Sequence, residues 1–115
     1  MRNLVGIDPG NKMLAIGELV EAGASVMFCR RDRGTARDDM SRMLESIKQG
    51  LFTRPRGGVY YSCLGRGEGL FGPESAELKM IRDALGDFPL VGFFCNGEIS
   101  HNRLYGYTGV LTLFV

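Results

Sequence analysis

The sequence lacks the features that several large functional classes require. It has no tryptophan, a single histidine, and 14 basic against 13 acidic side chains, which leaves a net charge near +1. Nucleic-acid-binding domains usually carry a basic excess on one face, so no nucleic-acid partner is expected. No apolar run approaches the roughly 20 residues of a membrane span, and Asn3 to Ile7 predicts a strand where a secretory leader would have its apolar core. We therefore expect a cytoplasmic protein with no membrane association.

Metal and cofactor signatures are also missing. The three cysteines, Cys29, Cys63 and Cys95, cannot all pair with one another and show no CxxC or other zinc-like spacing. Free thiols fit a reducing compartment. The GRGEG segment at 65–69 is not followed by the Lys-Ser/Thr pair of a P-loop, and its spacing differs from the dinucleotide fingerprint. We expect neither a metal nor a cofactor.

Length and composition predict one ordinary globular domain over residues 1–115. The chain is 44% hydrophobic and 23% charged, and it contains no linker or internal repeat. A domain of this size is expected to remove roughly two-thirds of its unfolded surface from water.

The first 30 residues predict three strands. Asn3 to Ile7, Met13 to Val20 and Ser25 to Cys29 have extended patterns, and turn-forming residues separate them. We interpret them as an antiparallel meander.

Two amphipathic helices and three further strands are predicted next. Thr35 is the expected N-cap of a helix with an apolar stripe from Met40 to Leu51, and Pro73 is expected to open a second helix that Gly86 ends. The second helix should bury Leu78, Ile81 and Leu85, and the strands are Val59 to Leu64, Leu90 to Phe94 and Tyr107 to Val115.

The predicted order is therefore β-β-β-α-β-α-β-β. This order favours an α+β fold, with a mainly antiparallel sheet and two helices packed on one face. The strands that end at Cys63 and Cys95 are expected to be neighbours, with their carboxyl ends at one edge.

Candidate ligand-binding residues follow these two strands. Arg66 has a guanidinium that could hold a carboxylate or phosphate in one pocket, where the backbone amides of Gly65 and Gly67 would assist; a salt bridge to Glu68 or Glu98 is the alternative. Glu98 follows an apolar strand, so we expect it to be partly buried beside a cation, either a bound ammonium or Arg66.

Four more residues complete the candidate site. Asn96 could hydrogen-bond a zwitterion or serve as a turn residue, and the hydroxyls of Tyr105 and Tyr107 could reach the same pocket or simply pack. Cys63 is either part of the pocket wall, a small core residue, or a nucleophile with His101 and Glu98 as its triad partners.

Four segments occur in a distinctive order: FCRRDRGTARDDM at 28–40, SCLGRG at 62–67, GFFCNGEIS at 92–100 and YGYTGVLTLF at 105–114. In this order they resemble the C-terminal domain of the FIST family, a sensory domain of signal-transduction proteins. The resemblance covers nearly the whole chain. That family pairs the domain with an N-terminal partner domain, of which residues 1–115 contain no counterpart.

The resemblance implies a module that senses small ligands such as amino acids and passes the signal to an output domain. With the candidate residues, it predicts a non-enzymatic sensory module that binds an amino acid or a similar zwitterion. The alternative is a protein-interaction half-domain that forms a homodimer or pairs with a separate FIST N-terminal domain. A cysteine-dependent enzyme is a weaker alternative.

Overall fold

The computed structural model describes residues 2–115, apart from the side chain of Ser100, and shows an α+β fold. The predicted fold class is confirmed. The elements are β1 (Leu4–Asp8), β2 (Met13–Ile16), α1 (Arg33–Gly50), β3 (Gly57–Cys63), α2 (Gly67–Phe71), α3 (Ala76–Leu85), β4 (Leu90–Cys95), β5 (Glu98–Ser100), β6 (Arg103–Tyr105) and β7 (Gly109–Phe114).

The strands form three small sheets rather than one. The central sheet has the order β4-β3-β7, in which β3 is parallel to β4 and antiparallel to β7. β1 pairs with β2 and β5 pairs with β6, both antiparallel. The antiparallel bias and the adjacency of β3 and β4 are thus confirmed, whereas the expectation of a single sheet is wrong.

The predicted third strand, Ser25 to Cys29, is not formed. Residues 25–29 have no regular structure, and Val26, Met27 and Phe28 are 64%, 82% and 73% exposed. Alternating apolar residues make a strand only where an adjacent sheet edge and an apolar surface receive them. Neither meets this segment within residues 2–115, so β1 and β2 remain a two-stranded hairpin.

Helix α1 begins earlier than predicted. Its N-cap is Asp32, whose Oδ2 accepts a hydrogen bond of 3.0 Å from the backbone N–H of Thr35, so the expectation that Thr35 is the cap is wrong. This hydrogen bond is the main reason that the pKa of Asp32 lies below its ordinary value. The predicted stripe is confirmed, since Met40 and Leu44 are buried and the apolar residues beside them are half-buried.

Helix α3 begins after Ser75 rather than at Pro73, and it ends at Gly86 as predicted. It buries Ile81 and Leu85, but Leu78 is 44% exposed and Glu77 is buried in its place. The predicted buried face is therefore confirmed at Ile81 and Leu85 and wrong at Leu78. A short additional helix, α2, forms inside the glycine-rich segment after β3.

Helices α1, α2 and α3 all pack on one face of the central sheet. The prediction placed two helices on one face, and the short α2 joins them there. The core joins the helices to the β3 face that carries Tyr60, and its buried members are Met40, Leu44, Tyr60, Phe71, Ile81 and Leu85. On the opposite face, Val91, Phe93 and Phe114 are 57–67% exposed. Among residues 2–115, no helix or strand covers this outer face.

The chain is less compact than its length predicts. Its radius of gyration is 17.3 Å and its accessible surface is 8879 Å², against about 6,200 Å² for a compact monomer of this mass. It therefore buries about half of its unfolded surface rather than the expected two-thirds. No helix of residues 2–115 has both the length and the apolarity that crossing a bilayer requires.

Candidate functional site

The candidate site lies at the carboxyl ends of β3 and β4. Cys63 is opposite Cys95 in the parallel register, and the Leu64 N–H donates a 2.8 Å hydrogen bond to the Cys95 carbonyl. The glycine-rich segment 65–69 leaves one strand and the Asn96–Gly97 turn leaves the other. Both loops therefore start from the same edge of the sheet, as the sequence predicted.

Arg66 is paired with a residue that the sequence analysis did not select. Its Nε lies 2.8 Å from Oε1 of Glu77, and the two side chains are only 13% and 7% exposed. The predicted salt bridges from Arg66 to Glu68 or Glu98 are therefore wrong. The guanidinium also lies over the Phe71 ring, 4.6 Å from its centre, and a terminal nitrogen is 3.5 Å from the Tyr107 carbonyl. Its terminal nitrogens thus have only weak partners among the described residues.

Glu77 accepts hydrogen bonds from two further buried donors. The Tyr60 hydroxyl is 2.7 Å from one carboxylate oxygen, and the Ser62 hydroxyl is 3.0 Å from the other. Burial, and then the hydrogen bond to Glu77, raise the pKa of Tyr60, so this phenol remains a neutral donor. A signal for Glu77 exists in the sequence, since Glu77, Ile81 and Leu85 recur every four residues on one helix face.

Glu98 is buried, as predicted, but its partners are neutral. The Cys95 thiol donates to one carboxylate oxygen over 3.1 Å, and the Thr108 hydroxyl donates to the other. These contacts connect the start of β5 to the end of β4 and to the residue before β7. The hydrogen bond that the thiol donates to Glu98 is the largest of the effects that raise the pKa of Cys95. Burial of the thiol raises the pKa further.

We expect the Glu98 contact to slow alkylation of Cys95. Because a raised pKa leaves less thiolate at pH 8, Cys95 should react with iodoacetamide more slowly than the exposed Cys29. Glu98→Gln removes the negative charge and should accelerate labelling of Cys95 several-fold. Time-resolved peptide mass spectrometry measures both rates, and Cys29 is the internal control. Equal Cys95 rates in the two proteins would contradict this assignment.

The segment 65–69 lines an open cavity of about 610 Å³. Arg31 and Arg66 contribute guanidinium groups to it, and Glu68 contributes an exposed carboxylate. Arg31 donates a 2.8 Å hydrogen bond to the Gly65 carbonyl and lies over the Tyr107 ring, 4.1 Å from its centre. The cavity is lined by Arg31, Leu64, Gly65, Arg66, Gly67, Glu68, Gly69, Leu70 and Phe94.

Two glycines of this cavity cannot be replaced without strain. A Cβ at Gly65 would collide with the Tyr107 ring, and Gly67 has a positive φ of +50° that side chains rarely adopt. Both glycines therefore bring the backbone close to its neighbours at the wall of the cavity.

The other predicted site residues do not line this cavity. Cys63 is buried at the end of β3, Asn96 is exposed after β4, and Tyr105 is 43% exposed on β6. Tyr107 has a φ of +61° and donates a 2.6 Å hydrogen bond to Asn3 Oδ1, which attaches residues before the β1–β2 hairpin to the site. The structure thus places Gly65, Arg66 and Gly67 in one cavity wall, whereas Glu98 does not line this cavity and contacts Cys95 and Thr108 instead.

The groups proposed for a cysteine triad are arranged differently from the prediction. Cys95, rather than Cys63, contacts Glu98, and His101 is exposed in the turn between β5 and β6. Among the described residues, no group of three or more histidine, cysteine or acidic side chains could hold a metal ion.

Comparison with known proteins places the sequence in a family. The profile described as the FIST C domain matches residues 1–101. The uncharacterized protein Rv0628c of Mycobacterium tuberculosis is 41% identical over all of this chain and 31% of its own length. The uncharacterized protein Mb0898c of Mycobacterium bovis is 36% identical over the same shares. This chain therefore spans about a third of the length of these relatives. No solved structure matches it.

Proposed function

We propose, from the premise that the chain belongs to the FIST C domain family, that it is the small-ligand-binding sensory module of a signal-transduction system. The family is associated with signal transduction, which supports the setting. The proposed ligand is an amino acid or a similar zwitterion. The single observation that carries this proposal is the cavity at 65–69, which has two guanidinium groups and one carboxylate in its wall.

The charges of the cavity complement a zwitterion. The ligand carboxylate would lie between Arg31 and Arg66, where planar guanidinium groups donate parallel hydrogen bonds. Its ammonium group would approach Glu68, for which the structure shows no ion pair within residues 2–115. A volume of about 610 Å³ lies in the range of small-molecule pockets.

The buried ion pair prepares Arg66 for this role. Glu77 engages only Nε, and it holds the guanidinium against Phe71. An arginine that is already ordered loses less side-chain entropy on binding than a free surface arginine. The signal would be a population shift, in which the ligand favours the conformers of segment 65–69 that hold both arginines together.

Calorimetry against an amino-acid panel tests the proposal, with Arg31→Ala as the site variant. Because Arg31 makes a charge-assisted contact, we expect its loss to weaken binding at least about tenfold. Arg30→Ala is the matched control, since Arg30 is an adjacent exposed arginine that does not line the cavity. The proposal fails if no amino acid binds at millimolar concentration either to this chain or to the full-length mycobacterial relative, or if both variants bind equally.

One observation favours a second candidate function, a protein-interaction half-domain. The outer face of the central sheet exposes Val91, Phe93 and Phe114, and the surface area exceeds that of a compact monomer. Such a face fits a second copy of the chain or a separate FIST N-terminal domain. Sedimentation tests whether the partner is a second copy of the chain. A monomer at high concentration excludes the homodimer and leaves the FIST N-terminal domain as the candidate partner.

A further inference from the structure

Strand β4 is an open sheet edge without the usual protection. In the central sheet it pairs with β3 on one side, and no other strand of residues 2–115 pairs with it. Its sequence, LVGFFC, contains neither charge nor proline, and four of its six residues are exposed. Sheet edges of this kind readily accept a further strand, and natural proteins normally prevent this with charges, proline or a covering element.

The backbone groups that face outward can be identified from the pairing. The carbonyl groups of Pro89 and Cys95 accept hydrogen bonds from Gly58 and Leu64 of the β3 side. Since successive residues of a strand alternate in direction, the odd-numbered residues face β3. The N–H and C=O groups of Leu90, Gly92 and Phe94 therefore point away from the sheet.

A second cavity, of about 410 Å³, lies beside this edge. Residues 90–94 of β4 line it together with residues of α2, of the segment between α2 and α3, and of the start of α3. Gly92 is opposite the buried Tyr60 in the register, so the helix-facing side of β4 has no side chain at its centre. A residue of an added strand beside Gly92 would direct its side chain into this cavity.

The lining of this cavity is apolar with acidic groups. Phe71, Leu78 and Leu90 supply apolar surface, whereas Glu68, Glu74 and Glu77 are its charged residues, and no lysine or arginine lines it. Arg66 neutralises Glu77, and an exposed lysine pairs with Glu74. A side chain that suits these walls has a long apolar stem and a cationic end, as lysine and arginine have.

We propose that β4 binds an extended basic peptide as an added strand, with a lysine or arginine side chain in the cavity beside Gly92. Main-chain hydrogen bonds would form to Leu90, Gly92 and Phe94, and the cation would meet Glu74 in place of Lys79. A second copy of β4 does not fit this role, because LVGFFC offers no basic residue. The peptide site shares the wall formed by Gly67, Glu68 and Phe94 with the ligand cavity, but it does not depend on Arg31.

Fluorescence anisotropy with a short labelled peptide tests the proposal. The probe peptide has alternating threonine and valine residues on both sides of a central arginine. The control peptide has the same sequence with glutamate in place of that arginine. We expect the arginine peptide to bind at least tenfold more tightly, and N-methylation of its strand-pairing amides to abolish binding. The proposal would be overturned if the arginine and glutamate peptides bound with equal affinity. It would also be overturned if the methylated peptide bound as tightly as the unmethylated arginine peptide.

Variants separate this site from the ligand cavity. Glu74→Gln should weaken peptide binding several-fold and leave amino-acid binding unchanged, whereas Arg31→Ala should do the reverse. Hydrogen exchange gives the position, since the amides of Leu90, Gly92 and Phe94 should become protected when the arginine peptide binds. Protection that instead increases with protein concentration alone would assign this edge to a second copy and refute the peptide assignment.

Discussion

Replacing Glu77 with leucine is expected to destabilise the chain by about 3–5 kcal/mol, the cost of breaking a buried ion pair from one side. Arg66 would keep its charge at 13% exposure with no carboxylate beside Nε. The hydroxyls of Tyr60 and Ser62 would also lose their acceptor. Urea unfolding followed by circular dichroism gives the free energy of unfolding.

Two comparisons make the Glu77 prediction specific. Glu74→Gln removes one partner of the exposed Lys79–Glu74 pair, in which the carboxylate side chain is 79% exposed, and should change stability by less than about 1 kcal/mol. The double variant Arg66→Met with Glu77→Leu should recover the part of the loss that comes from the unpaired charge of Arg66, whereas the part that comes from the Tyr60 and Ser62 hydroxyls should remain. If Glu77→Leu lowers the free energy of unfolding no more than Glu74→Gln does, Arg66 and Glu77 are not a buried pair.

Gly92→Ala is expected to cost about 3 kcal/mol, the upper end of the usual penalty for overpacking. A Cβ at this position would collide with the backbone carbonyl of Tyr60 on the adjacent strand. Backbone in the middle of a sheet cannot move aside as the end of a flexible side chain can. The β3–β4 pairing would therefore have to open, and with it both the candidate ligand cavity and the peptide edge.

Gly50→Ala is the matched control for Gly92. An added Cβ at Gly50, the last residue of α1, meets no atom within 4 Å, and alanine is the better helix former. We expect an unchanged or slightly higher free energy of unfolding. Thermal unfolding of the two variants tests the prediction. If Gly92→Ala unfolds at the same temperature as Gly50→Ala, β3 and β4 do not approach each other closely at Gly92.

The Arg66–Glu77 pair connects the two proposed sites. Arg66 lies in the wall of the ligand cavity, and Glu77 lies in the wall of the peptide cavity. A ligand that moves the guanidinium would alter the charge that Glu77 presents on the other side. This contact is therefore the physical route by which an amino acid would alter peptide affinity. Titrating the peptide with and without the amino acid, and the amino acid with and without the peptide, would show it as equal changes in the two affinities.

Local sequence patterns predicted the structure correctly where a feature depends on the residues of one element or on the order of the elements. The stripe on α1 predicted Met40 and Leu44 as core residues, because helical spacing alone brings them to one face. Gly86 marked the end of α3, since its φ of +93° suits a residue without a Cβ. The parallel neighbours β3 and β4 followed from the element order, because a helical crossover returns the chain beside the strand it left.

The sequence by itself determined the α+β class, the family, and the edge at which the glycine-rich segment and the Asn96 turn emerge. Only the tertiary structure decided the partners of the charges: Arg66 with Glu77, and Glu98 with Cys95 and Thr108. Periodicity records which face of an element is buried, whereas an ion pair depends on how two elements far apart in the chain are placed in three dimensions. The same reason explains why Ser25 to Cys29 looked like a strand and is not one, since pairing requires an edge that local sequence cannot supply.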